Sequence, residues 1–197
     1  MLILASTSQS RRDLLTNAGL EFEIRAPGVD EDEVKLSLVA RKADATAIAT
    51  ALAELKATRV SARHPEAFTI GSDSTLACDG RLFDKPPSIA AARDQLLALR
   101  GRTHELVSSV VVARGGIRIW HHTERARLTM RPFSESFLDA YLEEAGESVT
   151  TSVGAYRLES VGANLFSRID GDYFTILGLP LLPLLSFIAG HGIGLGA

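Results

Sequence analysis

The segment LILASTSQSRRDLLTNAGL, residues 2–20, decides how the rest of the chain is read. Leu2 to Ala5 is a short apolar run that predicts a buried strand. Ser6 to Ser10 is polar, and Arg11 to Ala18 predicts a helix that Gly19 stops. A strand, a hydroxyl-bearing loop and a helix in that order begin an α/β fold. The same unit presents hydroxyls and backbone N–H groups at a helix N-terminus, where unpaired donors and the macrodipole favour an anion.

Outward from this unit, helices and strands keep alternating. Glu21 to Arg25 alternates in polarity and predicts a second strand, and Pro27 breaks it. The acidic run Asp30 to Glu33 introduces a helical region predicted from about Leu36 to Ala62, where acidic residues complement the helix dipole. Phe68 to Ser72 predicts a buried strand ending at Asp73, and Asp79-Gly80 carries a hairpin signal. Ser88 to Leu99 is predicted helical, capped by Ser88 and ended by Gly101. His104 to Arg114 and Ile117 to Thr129 are β-rich stretches joined by Gly115-Gly116. Ser134 is a good N-cap for a helix over Glu135 to Ala145, with Gly146 after it. Gly154, Gly162, Gly171 and Gly178 then punctuate short apolar pieces before an apolar helix after Pro180. With no linker and no repeat, the expectation is a single domain over residues 1–197: one continuous mixed sheet flanked by helices.

Composition narrows the function classes. The 197 residues are 46% hydrophobic and 23% charged, enough for a sizeable core without extended disorder. A net charge of −3 lacks the basic field of a protein that grips a nucleic-acid polymer, so local cations such as Arg11, Arg12, Lys56 and Lys85 carry the interest. The single cysteine, Cys78, fits a reducing, cytoplasmic setting. The apolar run precedes the arginines at the N-terminus, the reverse of a secretory signal. The longest apolar stretch, Ile176 to Gly190, is broken by Pro180 and Pro183 and falls short of the ~20 residues a bilayer demands, so no membrane partner is expected.

Among residues that could carry chemistry, His121 and His122 are neighbours on a predicted strand and point to opposite faces, which excludes a shared metal ion without a bulge. No nucleophile elbow, Walker-type glycine loop or dinucleotide fingerprint is present. Asp73, at the end of an apolar strand, can project a carboxylate from a rigid element to hold a metal or activate water.

The scattered pieces match one family. Residues 2–15, LILASTSQSRRDLL, resemble the start of the Maf nucleotide pyrophosphatases, whose motif is close to L-A-S-x-S-P-x-R-x-x-L-L. Further matches follow in order: GVDED at 28–32, Lys56-Ala57, IGSDS at 70–74, FDKP at 83–86, GRTHE at 101–105 and GAYRLESVGANLFSRIDGDYFTILGLP at 154–180. The resemblance implies an α/β fold of the Maf and inosine-triphosphatase type, with a single elongated mixed sheet, two lobes and a central cleft. It also implies a divalent metal cation (Mg²⁺ or Mn²⁺), frequent homodimerisation, and hydrolysis of a nucleoside triphosphate to the monophosphate and pyrophosphate.

On the same resemblance, Ser8, Arg11 and Arg12 belong to the phosphate-binding loop, where guanidinium forks match phosphate oxygens, and Ser10 and Ser74 are substrate-binding positions beside the base pocket. Lys56 and Lys85 supply further positive charge to the triphosphate. Asp73 is the expected catalytic base or metal ligand, and Glu31 a second acidic metal candidate. Three departures from the family pattern bear on substrate identity. Gln9 replaces a usual Pro, Ser10 stands where Arg or Trp is usual, and Ser74 stands where Thr or Gln is usual. Glu159 occupies a position that carries Gln in members acting on thymidine and uridine triphosphates and Glu in the 7-methyl-GTP branch. A carboxylate accepts hydrogen bonds and suits the N1–H and N2–H₂ edge of guanine. The alternatives are a nucleotide-binding regulator of cell division without catalysis and a pyrimidine-directed housecleaning pyrophosphatase.

Overall fold

The computed structural model describes residues 1–195. In chain order the elements are β1 (Leu2–Leu4), α1 (Gln9–Asn17), β2 (Glu23–Ile24), α2 (Glu31–Ala40), α3 (Ala45–Ser61), β3 (Phe68–Cys78) and β4 (Arg81–Phe83). They continue with α4 (Ile89–Leu99), β5 (Thr103–Arg114), β6 (Ile117–Met130), α5 (Glu135–Ala145), β7 (Phe166–Asp170), α6 (Tyr173–Ile176) and α7 (Leu181–Ala189). Three 3-10 turns lie between α5 and β7. The strands form one seven-stranded sheet in the order β2-β1-β3-β5-β6-β7, with β4 also paired to β3. It is mixed: β1 runs parallel to β2 and β3, whereas the β3–β4 and β6–β7 pairs are antiparallel. The expected α/β class and mixed sheet flanked by helices are therefore found.

The chain divides into two compact units. The first comprises Met1–Ser74, Val107–Glu124 and, of the described residues, 173–195. Its strands β1, β3 and β5 are buried on both faces, and the alternation of the sequence decides which residue goes where. Leu2, Leu4, Val110 and Val112 join Leu15 and Leu184 in one core cluster, which packs α1 and α7. Ile3 and Ala5 join Val60 and Ala67, while Val111 and Ala113 meet Ala53 and Ala57 of α3. The small residues on α3 permit a close approach. A Cβ built on Gly71 of β3 would stand 2.3 Å from Ala53 O and 2.7 Å from Ala57 N, so only Gly fits there.

The second unit comprises Thr75–Leu106 and Arg125–Asp172. Asp79 and Gly80 both take positive φ in the tight β3–β4 hairpin, as the Asp-Gly pair predicts. Ser88 and Ser134 cap α4 and α5 by accepting from Ala91 N and Phe137 N. Here His104 Nε2 lies 2.8 Å from Tyr156 Oη, and the rings of both contact Phe166. Tyr141 donates to Ala155 O at 3.0 Å.

Four expectations need correction. The helical region around residues 36–62 is two helices, because Lys42 turns into the left-handed region and Asp44 starts a new helix by accepting from Ala47 N at 2.7 Å. β2 is only Glu23–Ile24, since β1 offers it just two paired positions. α1 starts at Gln9, two residues before the expected Arg11. Asp73 does not end its strand, because β3 runs through it to Cys78, a course open to a buried carboxylate that has a cationic partner. Among the described residues, no helix is long and apolar enough to cross a membrane.

Candidate active site

Five of the residues singled out in the sequence meet within the first unit. β1 pairs only with Phe68, Thr69 and Ile70 of β3, after which the chain leaves through Ser6–Ser8 into α1. Asp73 therefore sits on β3 just past the end of β1. The close approach of α3 at Gly71 brings Lys56 to it: Lys56 Nζ donates to Asp73 Oδ1 at 2.7 Å. The same ammonium donates to Glu31 Oε2 at 2.7 Å, from the first residue of α2. Both Lys56 and Asp73 are buried, Glu31 is exposed, and so one cation is shared by an inner and an outer carboxylate.

Arg11, in the first turns of α1, is held on all three of its nitrogens. Its Nε donates to Gly178 O at 2.8 Å, while its terminal nitrogens lie 3.4 Å from Ser6 Oγ and 3.3 Å from Ser74 Oγ. Desolvation lowers its pKa, and the nearby carboxylates of Asp73 and Glu31 raise it. A guanidinium so far above neutrality stays charged regardless. Arg12 Nε is also buried but makes no hydrogen bond among the described residues. Ser8 caps α1 without its side chain: its carbonyl accepts from Arg12 N at 3.2 Å, its N–H donates to Ser6 Oγ at 3.2 Å, and Ser10 stands in the first turn.

The structure gives Ser74 a further role and adds residues that the sequence did not single out. Ser74 Oγ lies 2.8 Å from Ser108 Oγ, so Ser74 is a support for Arg11 as well as a neighbour of Asp73. Ser72 donates to Gly178 O at 2.9 Å, making that carbonyl a shared acceptor. Lys35, four residues after Glu31 and hence on the same side of α2, is half-buried. Burial lowers its pKa, and the charges of Asp73 and Asp32 raise it. Its only sequence-level signal was the i, i+4 spacing from Glu31.

Lys85 and Glu159 belong to the second unit. Lys85 is exposed just after β4. Glu159 Oε1 accepts from Arg157 Nε at 2.9 Å, so this carboxylate already has a cationic neighbour two positions away.

Two carboxylates converging on one cation offer hard oxygen donors of the kind that hold a small divalent ion alongside substrate phosphates. Glu31 and Asp73 are the oxygen donors nearest to what the expected Mg²⁺ or Mn²⁺ asks for, but both accept from the Lys56 ammonium, and among the described residues no group of three or more His, Cys, Asp and Glu side chains stands together. His122 Nε2 lies 3.0 Å from Glu124 Oε1.

One family model and several named relatives match almost the whole chain. A family model described as "Maf-like protein" matches residues 1–191. A Paramagnetospirillum magneticum protein named nucleoside triphosphate pyrophosphatase is 55% identical over 190 residues, covering 96% of this chain and 98% of the relative. One of the same name from Caulobacter vibrioides is 53% identical over 189 residues, covering 96% and 94%. A Rhizobium etli protein named 7-methyl-GTP pyrophosphatase is 50% identical over 184 residues, covering 93% and 92%.

Proposed function

The chain belongs to the Maf-like protein family, and from that premise we propose that it hydrolyses a nucleoside triphosphate to the monophosphate and pyrophosphate. The observation that carries this reading is the Lys56 ammonium held between Asp73 and Glu31 in the unit that also holds Arg11. Asp73, on a rigid strand and fixed by Lys56, takes a proton from water as the new O–P bond forms at the α-phosphorus. The bond from that phosphorus to the bridging oxygen breaks, and pyrophosphate leaves with its electron pair. Arg11, Arg12, Lys56 and Lys85 offset phosphate charge, and the unpartnered Arg12 Nε finds an acceptor in a phosphate oxygen. Glu31 and Asp73 would hold a divalent cation, which would supply further positive charge for the leaving pyrophosphate.

Pyrophosphate release from a nucleotide panel with Mg²⁺ is the direct assay. Asp73→Asn is expected to stay folded and lose at least ~10²-fold in turnover, as removal of a positioned base does. Full activity in a folded Asp73→Asn protein would take Asp73 out of the chemistry. Chelation is expected to abolish turnover and Mg²⁺ or Mn²⁺ to restore it.

For the base we propose a guanine-type preference, 7-methyl-GTP included. Glu159 supports it, because a carboxylate accepts from the guanine edge and repels the carbonyl of a pyrimidine. Arg157, bound to the same carboxylate, competes for it and tempers the preference. Glu159→Gln should lower 7-methyl-GTP turnover and raise that of pyrimidine triphosphates; an unchanged ranking across the panel would clear Glu159 of any part in selection. On the same reading the protein is a cytoplasmic homodimer acting on free nucleotides, and sedimentation checks the assembly state.

A further inference from the structure

The carbonyl that holds Arg11 is itself held. Gly178 has φ 99°, and a Cβ there would stand 3.3 Å from Ser74 Oγ and 3.6 Å from Arg11 Nε, so the position suits Gly alone. Gly178 N donates to Thr175 O at 3.0 Å, closing a turn whose far end is the Arg11 acceptor. The near end is fixed twice. Thr175 O accepts from Ser108 Oγ at 2.8 Å, and Thr175 Oγ1 donates to Glu124 Oε2 at 2.5 Å. Thr175 is fully buried, and Glu124 projects from β6, where its other oxygen lies 3.0 Å from His122 Nε2. A hydroxyl donating to a carboxylate makes a strong bond, and here it ties a four-residue helix to the sheet. Because Ser108 also bonds Ser74, two of the three contacts of the guanidinium lead back to Thr175.

We infer that Glu124 and Thr175 are positioning residues for Arg11. Their bond sets the turn Thr175–Gly178, and the turn sets the plane in which the guanidinium meets a phosphate. The effect on turnover rests on the function proposed above; the effect on Arg11 itself does not.

The test therefore has two readouts. Exchange of the Arg11 Nε–H with water, followed by ¹⁵N NMR on the full-length protein, reports the Gly178 bond without any substrate. Thr175→Val removes the hydroxyl at nearly constant volume and is expected to speed that exchange about 10-fold or more, while Thr175→Ser stays near wild type. In nucleotide hydrolysis, Thr175→Val should raise KM by roughly 5- to 20-fold, yet add nothing further in an Arg11→Ala background, because groups acting through one residue are not additive. If Thr175→Val does not fold, Glu124→Ala should speed the exchange in the same way and Glu124→Gln, which keeps an acceptor oxygen, should restore it. Unchanged Nε–H exchange in a folded variant, or a KM loss that adds to that of Arg11→Ala, overturns the inference. A wild-type protein that hydrolyses no nucleotide would instead sink the proposed function, and the exchange measurement would still decide the role of Thr175.

Discussion

At the scale of single residues, the ion pair of Lys56 and Asp73 is the feature with the largest consequence. Lys56 is 4% exposed and Asp73 8%, so neither charge has water to fall back on. A buried pair is weak evidence for stability in itself, but breaking one side leaves the other uncompensated. Lys56→Met is expected to cost ~3–5 kcal/mol in urea unfolding. The double variant Lys56→Met/Asp73→Asn should cost less than the sum of the two changes, since the second removes the orphaned charge. The identities of Asp73, Lys56, Arg11 and Glu31 were legible from the resemblance of their motifs, but their pairing was not. Lys56 was expected to supply charge to the triphosphate, and nothing local announced that it is also the shared partner of two carboxylates, 17 positions from one and 25 from the other. Gly178, 167 positions from Arg11, had no sequence signal as its acceptor beyond being a glycine between two leucines.

At the scale of elements, the site depends on how closely α3 lies on β3. Gly71→Ala places a methyl group against the Ala53 carbonyl, and the helix must retreat. The expected cost is about 1–3 kcal/mol from overpacking, with a loss of turnover as Lys56 is carried away from Asp73, measurable by denaturation and pyrophosphate release on the same sample. α2 is the opposite case. It buries none of its ten residues and leaves Leu36 71% exposed, so little apolar packing holds the helix that carries Glu31. Amide exchange is expected to be faster in α2 than in α3, whose inner face is buried from Ile48 to Ser61. The single long helix expected over residues 36–62 failed because apolar periodicity outweighed a local cap. The side chain of Asp44 offers the chain a new helix start, and capping competes with helix continuation only where the neighbouring geometry lets the chain turn.

At the scale of the whole molecule, the clearest dependence on conditions comes from the second unit. Burial keeps His104 neutral and pushes its pKa down to about 4. An unfolded histidine titrates near ~6.5, so the unfolded state binds more protons between these values. Stability should therefore be full above pH ~6.5 and fall as the pH drops from there to about 4, by on the order of 3 kcal/mol in total. His104→Gln should flatten the stability profile in that window. At the alkaline end, burial raises Tyr141 to about 12, so its contribution is present below pH ~10 and is lost as the pH climbs towards 12. What the sequence by itself determined was local: the strand-loop-helix opening, the serine caps of α4 and α5, the Asp-Gly hairpin and the interleaving that implies a mixed sheet. Capping, turn chemistry and periodicity act within about four residues and are written where they act. Tertiary structure alone decided the strand order, the passage of β3 through Asp73, the place of Lys56 between two acids and the grip of Gly178 on Arg11. Those depend on which surfaces are pressed together. A buried charge or carbonyl takes whatever partner the packing delivers, and no local pattern names that partner in advance.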